Sequence, residues 1–307
     1  MIHVRDRVVK STNRETELPV RIFVPEDGED LKAVVLIVHG MMESIDDYDE
    51  LGSFLSMHGY VAVVSEILGH GSAKVDGKTG YMGAGGKGYF CAVRDVKNVY
   101  YNYNICRDFN LPIILFGFSL GSFLVREALV LNLFDDFLKG VILMGTGNKS
   151  GVELAIGRAL AKSRIRKYGG SNVSGVVDDL AVENYNKKFP ETYEKNAWLI
   201  KDFSYLRRFN PGDYHVSPQM FYDLLGSMKL CSKSVGQLAD VPLLLISGSK
   251  DPVTGDIAKL YAFFEKKGCG HVMSTAIPEY RHAILKDGCI EEVCRRLLFW
   301  LDRHFGG

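Results

Sequence analysis

The sequence predicts an α/β protein with a mostly parallel central sheet, helices on both faces, and a helical segment inserted late in the chain. Three observations lead there. Short β-rich runs alternate with helical periodicity along most of the 307 residues. Five of those runs are nearly unbroken in apolar residues, as strands buried on both faces are. The alternation stops between about residues 147 and 236, where helical patterns appear without a strong strand.

In chain order, residues 2–10 and 18–25 alternate apolar and polar side chains around a polar turn, as an antiparallel edge hairpin would. The buried strands follow at 33–38, 61–64, 113–118, 141–144 and 243–246, and 271–277 reads as the last strand. Helical periodicity marks 48–57, 91–109, 120–132, 257–267 and 290–305, and the Gly-rich stretch 80–88 reads as a loop. Within the interruption, helical stretches occupy 153–167, 176–189 and 219–225. The expected organisation is a core built from residues 1–146 and 237–307, with residues 147–236 inserted as a mobile helical cap. Open α/β sheets bind ligands at the C-terminal edge of their strands, where such an insertion would form a cover.

Bulk properties narrow the function. Hydrophobic residues make up 47% and charged residues 24%, an ordinary soluble composition. Basic and acidic residues balance at 37 each without a polybasic block, so nothing calls for nucleic acid or an anionic membrane as partner. The first six residues lack the apolar region of a signal peptide, and no apolar run reaches the roughly 18 residues of a membrane span. Six scattered cysteines without a Cys-x-x-Cys pair read as free thiols in a reducing cytoplasm, the expected address, rather than a disulfide or zinc scaffold.

The chemistry begins at Gly117-Phe118-Ser119-Leu120-Gly121, a Gly-x-Ser-x-Gly nucleophile elbow. Such an elbow needs a sharp strand-to-helix turn, and the motif lies between a strand run and a helical run, as that demands. Serine needs a base, and the base needs an orienting carboxylate. In this arrangement the chain order is serine, acid, histidine. Asp251 stands in the loop after the 243–246 strand; Asp256, its competitor, looks like a helix N-cap. Of the later histidines, His304 ends the terminal helix and His271 starts a strand, whereas His282 occupies a loop on the catalytic edge. Oxyanion donors are expected from the backbone N–H groups of Leu120 and Met41, the latter in the loop after the 33–38 strand. His39 and His70 read as packed loop residues.

With these residues in place, the chain resembles the bacterial lysophospholipase and monoglyceride lipase-like, serine aminopeptidase-type branch of the α/β-hydrolase superfamily over nearly its whole length. The likeness rests on His39-Gly40-Met41 with Tyr48, Gly69-His70-Gly71, the elbow, Gly248-x-x-Asp251-Pro252-Val253, and Tyr280-Arg281-His282 with Trp300-Leu301. Tyr185 to Phe189, Trp198-Leu199 and Phe221-Tyr222-Asp223 are similar to the cap of lysophospholipase-like proteins from Gram-positive bacteria. The chain departs from that pattern after His282, where Ala283-Ile284-Leu285-Lys286-Asp287 replaces Glu-x-x-Asn-Glu, and before Gly69, where Glu66-Ile67-Leu68 lacks an acid-x-Arg.

The resemblance implies the α/β-hydrolase fold and hydrolysis of a carboxylic ester through an acyl-enzyme, acting on a small-molecule ester or lipid-like substrate with no cofactor and no metal. Trp198, Phe221 and Leu225, with Leu154, Ile156, Leu160 and Tyr222, supply apolar matter for an acyl pocket; Lys162, Arg164, Arg166 and Lys167 mark a solvated face. Three alternatives stand beside it. A proline iminopeptidase-like aminopeptidase would use Asp178, Asp179 and Glu183 to hold a free amino terminus. A perhydrolase would use the same triad. A binding protein on a hydrolase scaffold would lack a triad member.

Overall fold

The computed structural model describes residues 2–26, 31–102, 111–149, 151–173, 183–192, 194, 196–205 and 215–306. Among the described residues the sheet has eight strands: β1 (Ile2–Lys10), β2 (Glu17–Pro25), β3 (Ala33–Val38), β4 (Tyr60–Ser65), β5 (Ile113–Phe118), β6 (Leu138–Met144), β7 (Leu243–Gly248) and β8 (Val272–Ile277). They lie in the order β1-β2-β4-β3-β5-β6-β7-β8. β2 runs antiparallel to β1 and β4, and every other pairing is parallel.

Successive side chains of a strand point to opposite faces, and here both faces are covered. Along β5, Ile113 and Leu115 enter one core, while Ile114, Phe116 and Phe118 enter the other. The first core is closed by α2 (Lys87–Asn102), α3 (Leu120–Val130) and α6 (Ile257–Lys266). The second is closed by α1 (Asp49–Met57) and α7 (Ile290–Phe305), through Leu51, Leu55, Leu297 and the fully buried Trp300. This is the mostly parallel sheet, covered on both faces, that the alternation predicts.

Departures from the predicted elements have local causes. β6 begins at Leu138, earlier than its apolar run suggests, because the register slips at Ile113/Ile114 and leaves Lys139 exposed on a bulge. β1 shows little of its alternation as burial. It is the outermost strand, only Val9 is buried, and Val4 and Val8 are 52% and 58% exposed. His3, Arg5, Asp6 and Arg7 among them are the kind of side chains that blunt an edge against further pairing. α2 starts at Lys87, inside the stretch that reads as a loop, and the remainder of its expected span lies in residues 103–110, outside the described residues.

Between β6 and β7 run α4 (Gly151–Tyr168) and α5 (Pro218–Cys231), which pack against each other, with α5 also against α3. α5 starts where Ser217 accepts a hydrogen bond from the Met220 N–H and Pro218 takes the first helical position. Of the helix expected over 176–189, residues 174–182 lie outside the described residues and 183–186 form a single helical turn. Among the described residues, no helix is long and apolar enough to cross a membrane.

Candidate active site

Ser119 sits between β5 and α3 with φ 50° and ψ −114°, a conformation that a side chain adopts at a cost. The two glycines of the motif follow from packing. A Cβ on Gly121 would lie 2.1 Å from the Val38 carbonyl oxygen, and one on Gly117 would lie 2.7 Å from Ser122 Cα. Only bare backbone lets α3 start this close to β3 and β5. The turn holds the Ser119 side chain part-exposed at the C-terminal edge of the sheet.

His282 comes from the loop between β8 and α7, and Asp251 from the loop after β7. His282 Nε2 lies 2.8 Å from Ser119 Oγ, and His282 Nδ1 lies 2.9 Å from both carboxylate oxygens of Asp251. With its proton on Nδ1, the ring donates to Asp251 and accepts from the serine hydroxyl. The carboxylate also accepts from the Val253 N–H at 2.8 Å and the Thr254 hydroxyl at 2.9 Å. Burial pushes the Asp251 carboxyl up, but His282 and these hydrogen bonds outweigh it and hold it below the usual carboxylate range. Asp256 instead caps α6, accepting from Ala258 and Lys259 N–H groups. His271 is exposed, and His304 bonds the Trp300 carbonyl in the last turn of α7.

Two aromatic rings pack against the imidazole. Phe118 and Trp198 each lie 5.0 Å from it, centroid to centroid, tilted by 35° and 32°. Gly145, at the end of β6, makes room: with φ 58°, a Cβ there would meet His282 Cε1 at 2.8 Å. Trp198 belongs to a stretch fastened to the histidine's own loop. The Ala283 N–H donates to the Leu199 carbonyl at 2.7 Å, and Arg281 donates to the Ala197 carbonyl at 2.7 Å. Asp287 accepts from the Lys201 N–H at 2.6 Å. The Trp198 indole N–H is buried without an acceptor among the described residues.

Met41 follows Gly40 in the loop after β3, and Leu120 opens α3, so both expected oxyanion donors stand at the edge that carries Ser119. The loop is held by Glu43, which is 4% exposed. Its carboxylate accepts from the Gly40 N–H and the Tyr48 hydroxyl, both at 2.7 Å, and pairs with Lys286 Nζ at 3.1 Å. Lys286 also meets Asp47 at 2.8 Å, so the loop after β3 and the histidine loop are joined by charge. His39 and His70 are fully buried with their rings 5.5 Å apart, and His39 Nε2 accepts from the Ile67 N–H.

The three expected substrate contacts do not fall together. Trp198 lies on His282, whereas Leu225 packs toward Gly157 of α4, and Leu225 and Phe221 belong with the core on the α2 and α3 side. Asp178 and Asp179 lie outside the described residues; Glu183 is exposed and pairs with Lys187 at 3.3 Å. Sequence reasoning assigns no role at the site to Phe118, Gly145, Glu43, Lys286, Arg281 or Asp287. Gly145 carried a signal, since it ends a buried strand at the catalytic edge as Gly40 nearly does. The others act through partners distant in sequence, and Lys286 and Asp287 stood out only as departures from the resembling family. Among the described residues, no group of three or more His, Cys, Asp or Glu side chains could hold a metal ion. The arrangement can remove a proton from a serine hydroxyl as it attacks a carbonyl.

A family model described as serine aminopeptidase, S33, one of the hydrolases, matches residues 29–288. Among solved structures, a thermostable carboxyl esterase from Bacillus coagulans in complex with glycerol is similar, with TM-score 0.84 and 20% identity over 98% of this chain and 99% of that one. A lipase in its open form superposes with TM-score 0.79 at 18% identity, over 99% and 100% of the two chains. A soluble variant of monoglyceride lipase from Saccharomyces cerevisiae, in complex with a substrate analogue, gives 0.72 at 17% identity, over 95% and 93%. At these identities the likeness is one of fold. No curated protein matches the chain.

Proposed function

The chain belongs to the serine aminopeptidase S33 family of hydrolases, and from that premise we propose that it cleaves carboxylic esters through an acyl-enzyme on Ser119. The observation that carries this reading is the relay from Ser119 Oγ to His282 at 2.8 Å and from His282 to a buried Asp251 at 2.9 Å. Ser119 attacks the ester carbonyl while His282 takes its proton. Asp251 keeps the imidazole in the tautomer that can accept and stabilises the imidazolium that forms. The Met41 and Leu120 amides receive the oxyanion. His282 then returns the proton to the leaving alkoxide, and water repeats the cycle on the acyl-enzyme.

Residues 147–236 act as the cap in this reading. They leave the sheet beside Gly145, which touches His282, and return before β7, which carries Asp251. Buried Arg126 of α3 supports both ends, donating to the Thr146 hydroxyl, the Gly147 carbonyl and the Cys231 carbonyl. Trp198 stands nearest the chemistry, and Phe221 and Leu225 lie deeper in the same segment. An ester is favoured over a peptide with a free amino terminus, because the side chains converging beside Asp251 are the lysines Lys149 and Lys188. A panel of p-nitrophenyl esters against proline p-nitroanilide tests the choice. Ester turnover that is abolished by Ser119→Ala supports it; turnover of the anilide alone would replace it with the aminopeptidase.

A further inference from the structure

Lys149 and Lys188 meet at one backbone oxygen next to the acid of the triad. Each Nζ lies 3.5 Å from the carbonyl oxygen of Pro252, the residue after Asp251. One lysine follows β6 directly and the other comes from the far side of α4, so the fold and not the local sequence brings them together. Lys149 Nζ also lies 5.3 Å from the centre of the Tyr185 ring. Tyr185 packs on Trp198 at 4.9 Å, and Trp198 on His282 at 5.0 Å. A run of ring contacts therefore joins the base of the triad to an ammonium group.

This pair is poorly explained as scaffolding. One carbonyl has two lone pairs, while two ammonium groups bring six N–H donors. Neither lysine forms an ion pair among the described residues, although the chain has as many acidic as basic side chains. Burial first, and the charge of Lys188 second, hold the half-buried Lys149 ammonium below the usual lysine range, with Glu153 and Asp251 opposing them. Lys188 is exposed and Lys149 half-buried, so solvent meets their other N–H groups; an anion arriving between the two amines would replace that solvent and relieve the repulsion. We propose that Lys149 and Lys188 bind a phosphate or carboxylate group carried by the ester substrate at its end remote from the scissile carbonyl. This rests on the ester-hydrolase reading. It adds that the natural substrate is an anionic ester, with the ring surface of Tyr185 and Trp198 lying between the charge and the reacting bond.

The test uses decanoyl esters of glycerol, of glycerol 3-phosphate and of glyceric acid, assayed below micellar concentration. The quantity read is the ratio of kcat/KM for each anionic ester to that for the neutral one. The wild-type protein should prefer one anionic ester by at least about tenfold, and Lys149→Gln and Lys188→Gln should each lower that ratio about tenfold. The ester whose ratio falls tells phosphate from carboxylate. Lys187→Gln, which removes an exposed charge paired with Glu183, should leave the ratio where it was. Absence of anionic preference in a wild-type protein that a fluorophosphonate still labels would overturn this proposal alone. So would an unchanged ratio in both lysine variants, or an equal fall in Lys187→Gln. A wild-type protein that neither cleaves these esters nor takes the label would overturn the ester reading, and this proposal with it.

Discussion

At the scale of single residues, the site depends on space as much as on reactive groups. Gly145 has φ 58°, and its missing Cβ leaves the gap that His282 Cε1 fills. Gly145→Ala should therefore displace the imidazole and lower kcat by on the order of 100-fold, the cost of a misplacement near 1 Å. Backbone strain should add a loss of about 1–2 kcal/mol in stability. Steady-state kinetics beside urea unfolding reads both, and an unchanged kcat would mean that His282 does not rest on this position. His70 makes a second residue-level prediction. Burial, and then His39, lower its pKa from 6.5 to about 3, so it is neutral when folded at any ordinary pH. The unfolded chain takes up a proton there below about pH 6.5. The contribution of His70 to stability is thus complete above that pH and declines by about 1.4 kcal/mol per unit as the pH falls toward 3. Urea unfolding at pH 7, 6 and 5 should show this slope, and His70→Gln should flatten it. An equal slope in the variant would show that another group is responsible.

At the scale of elements, the sequence was readable where one rule governs a whole stretch. β3, β5 and β7 are buried on both faces and read as apolar runs, and the elbow glycines mark where β5 gives way to α3. Asp256 was readable as a cap because an N-cap is a local device. The pieces that escaped are pairings between distant elements: Trp198 on His282, Asp287 holding the Lys201 N–H, and Glu43 meeting Lys286. Nothing within a few residues of any of these announces its partner. Lys286 and Asp287 stand where the chain departs from the resembling family, and here they join the Met41 loop and the Trp198 stretch to the loop of His282. The close approach of α3 to β3 is testable through Gly121→Ala, whose Cβ would meet the Val38 oxygen at 2.1 Å. It should cost about 1–3 kcal/mol of stability. Gly151→Ala, at the start of α4 with nothing within 4 Å, should be neutral or slightly stabilising. Equal effects at the two positions, measured by chemical denaturation, would contradict the packing argument.

At the scale of the whole molecule, a sheet buried on both faces supplies the edge that carries Ser119, and from the segment between β6 and β7 Trp198 packs on His282 there. Trp198 is tied to the histidine loop, so any movement of the segment that lifts this residue also disturbs the base. An apolar site under the cap should gain on the order of 0.8 kcal/mol for each methylene buried, about fourfold per carbon until it fills. Across p-nitrophenyl esters from acetate to laurate, kcat/KM should rise to a medium-chain maximum; a profile that peaks at acetate and falls would mean a small closed pocket. All of this presupposes that Ser119 carries the acyl group. The direct test is an acid quench during turnover of p-nitrophenyl decanoate, followed by intact-protein and peptide mass spectrometry. The account predicts a single decanoyl adduct per chain on the peptide containing Ser119, absent from Ser119→Ala. Turnover without an adduct in the wild type, or an adduct that persists in Ser119→Ala, would contradict it.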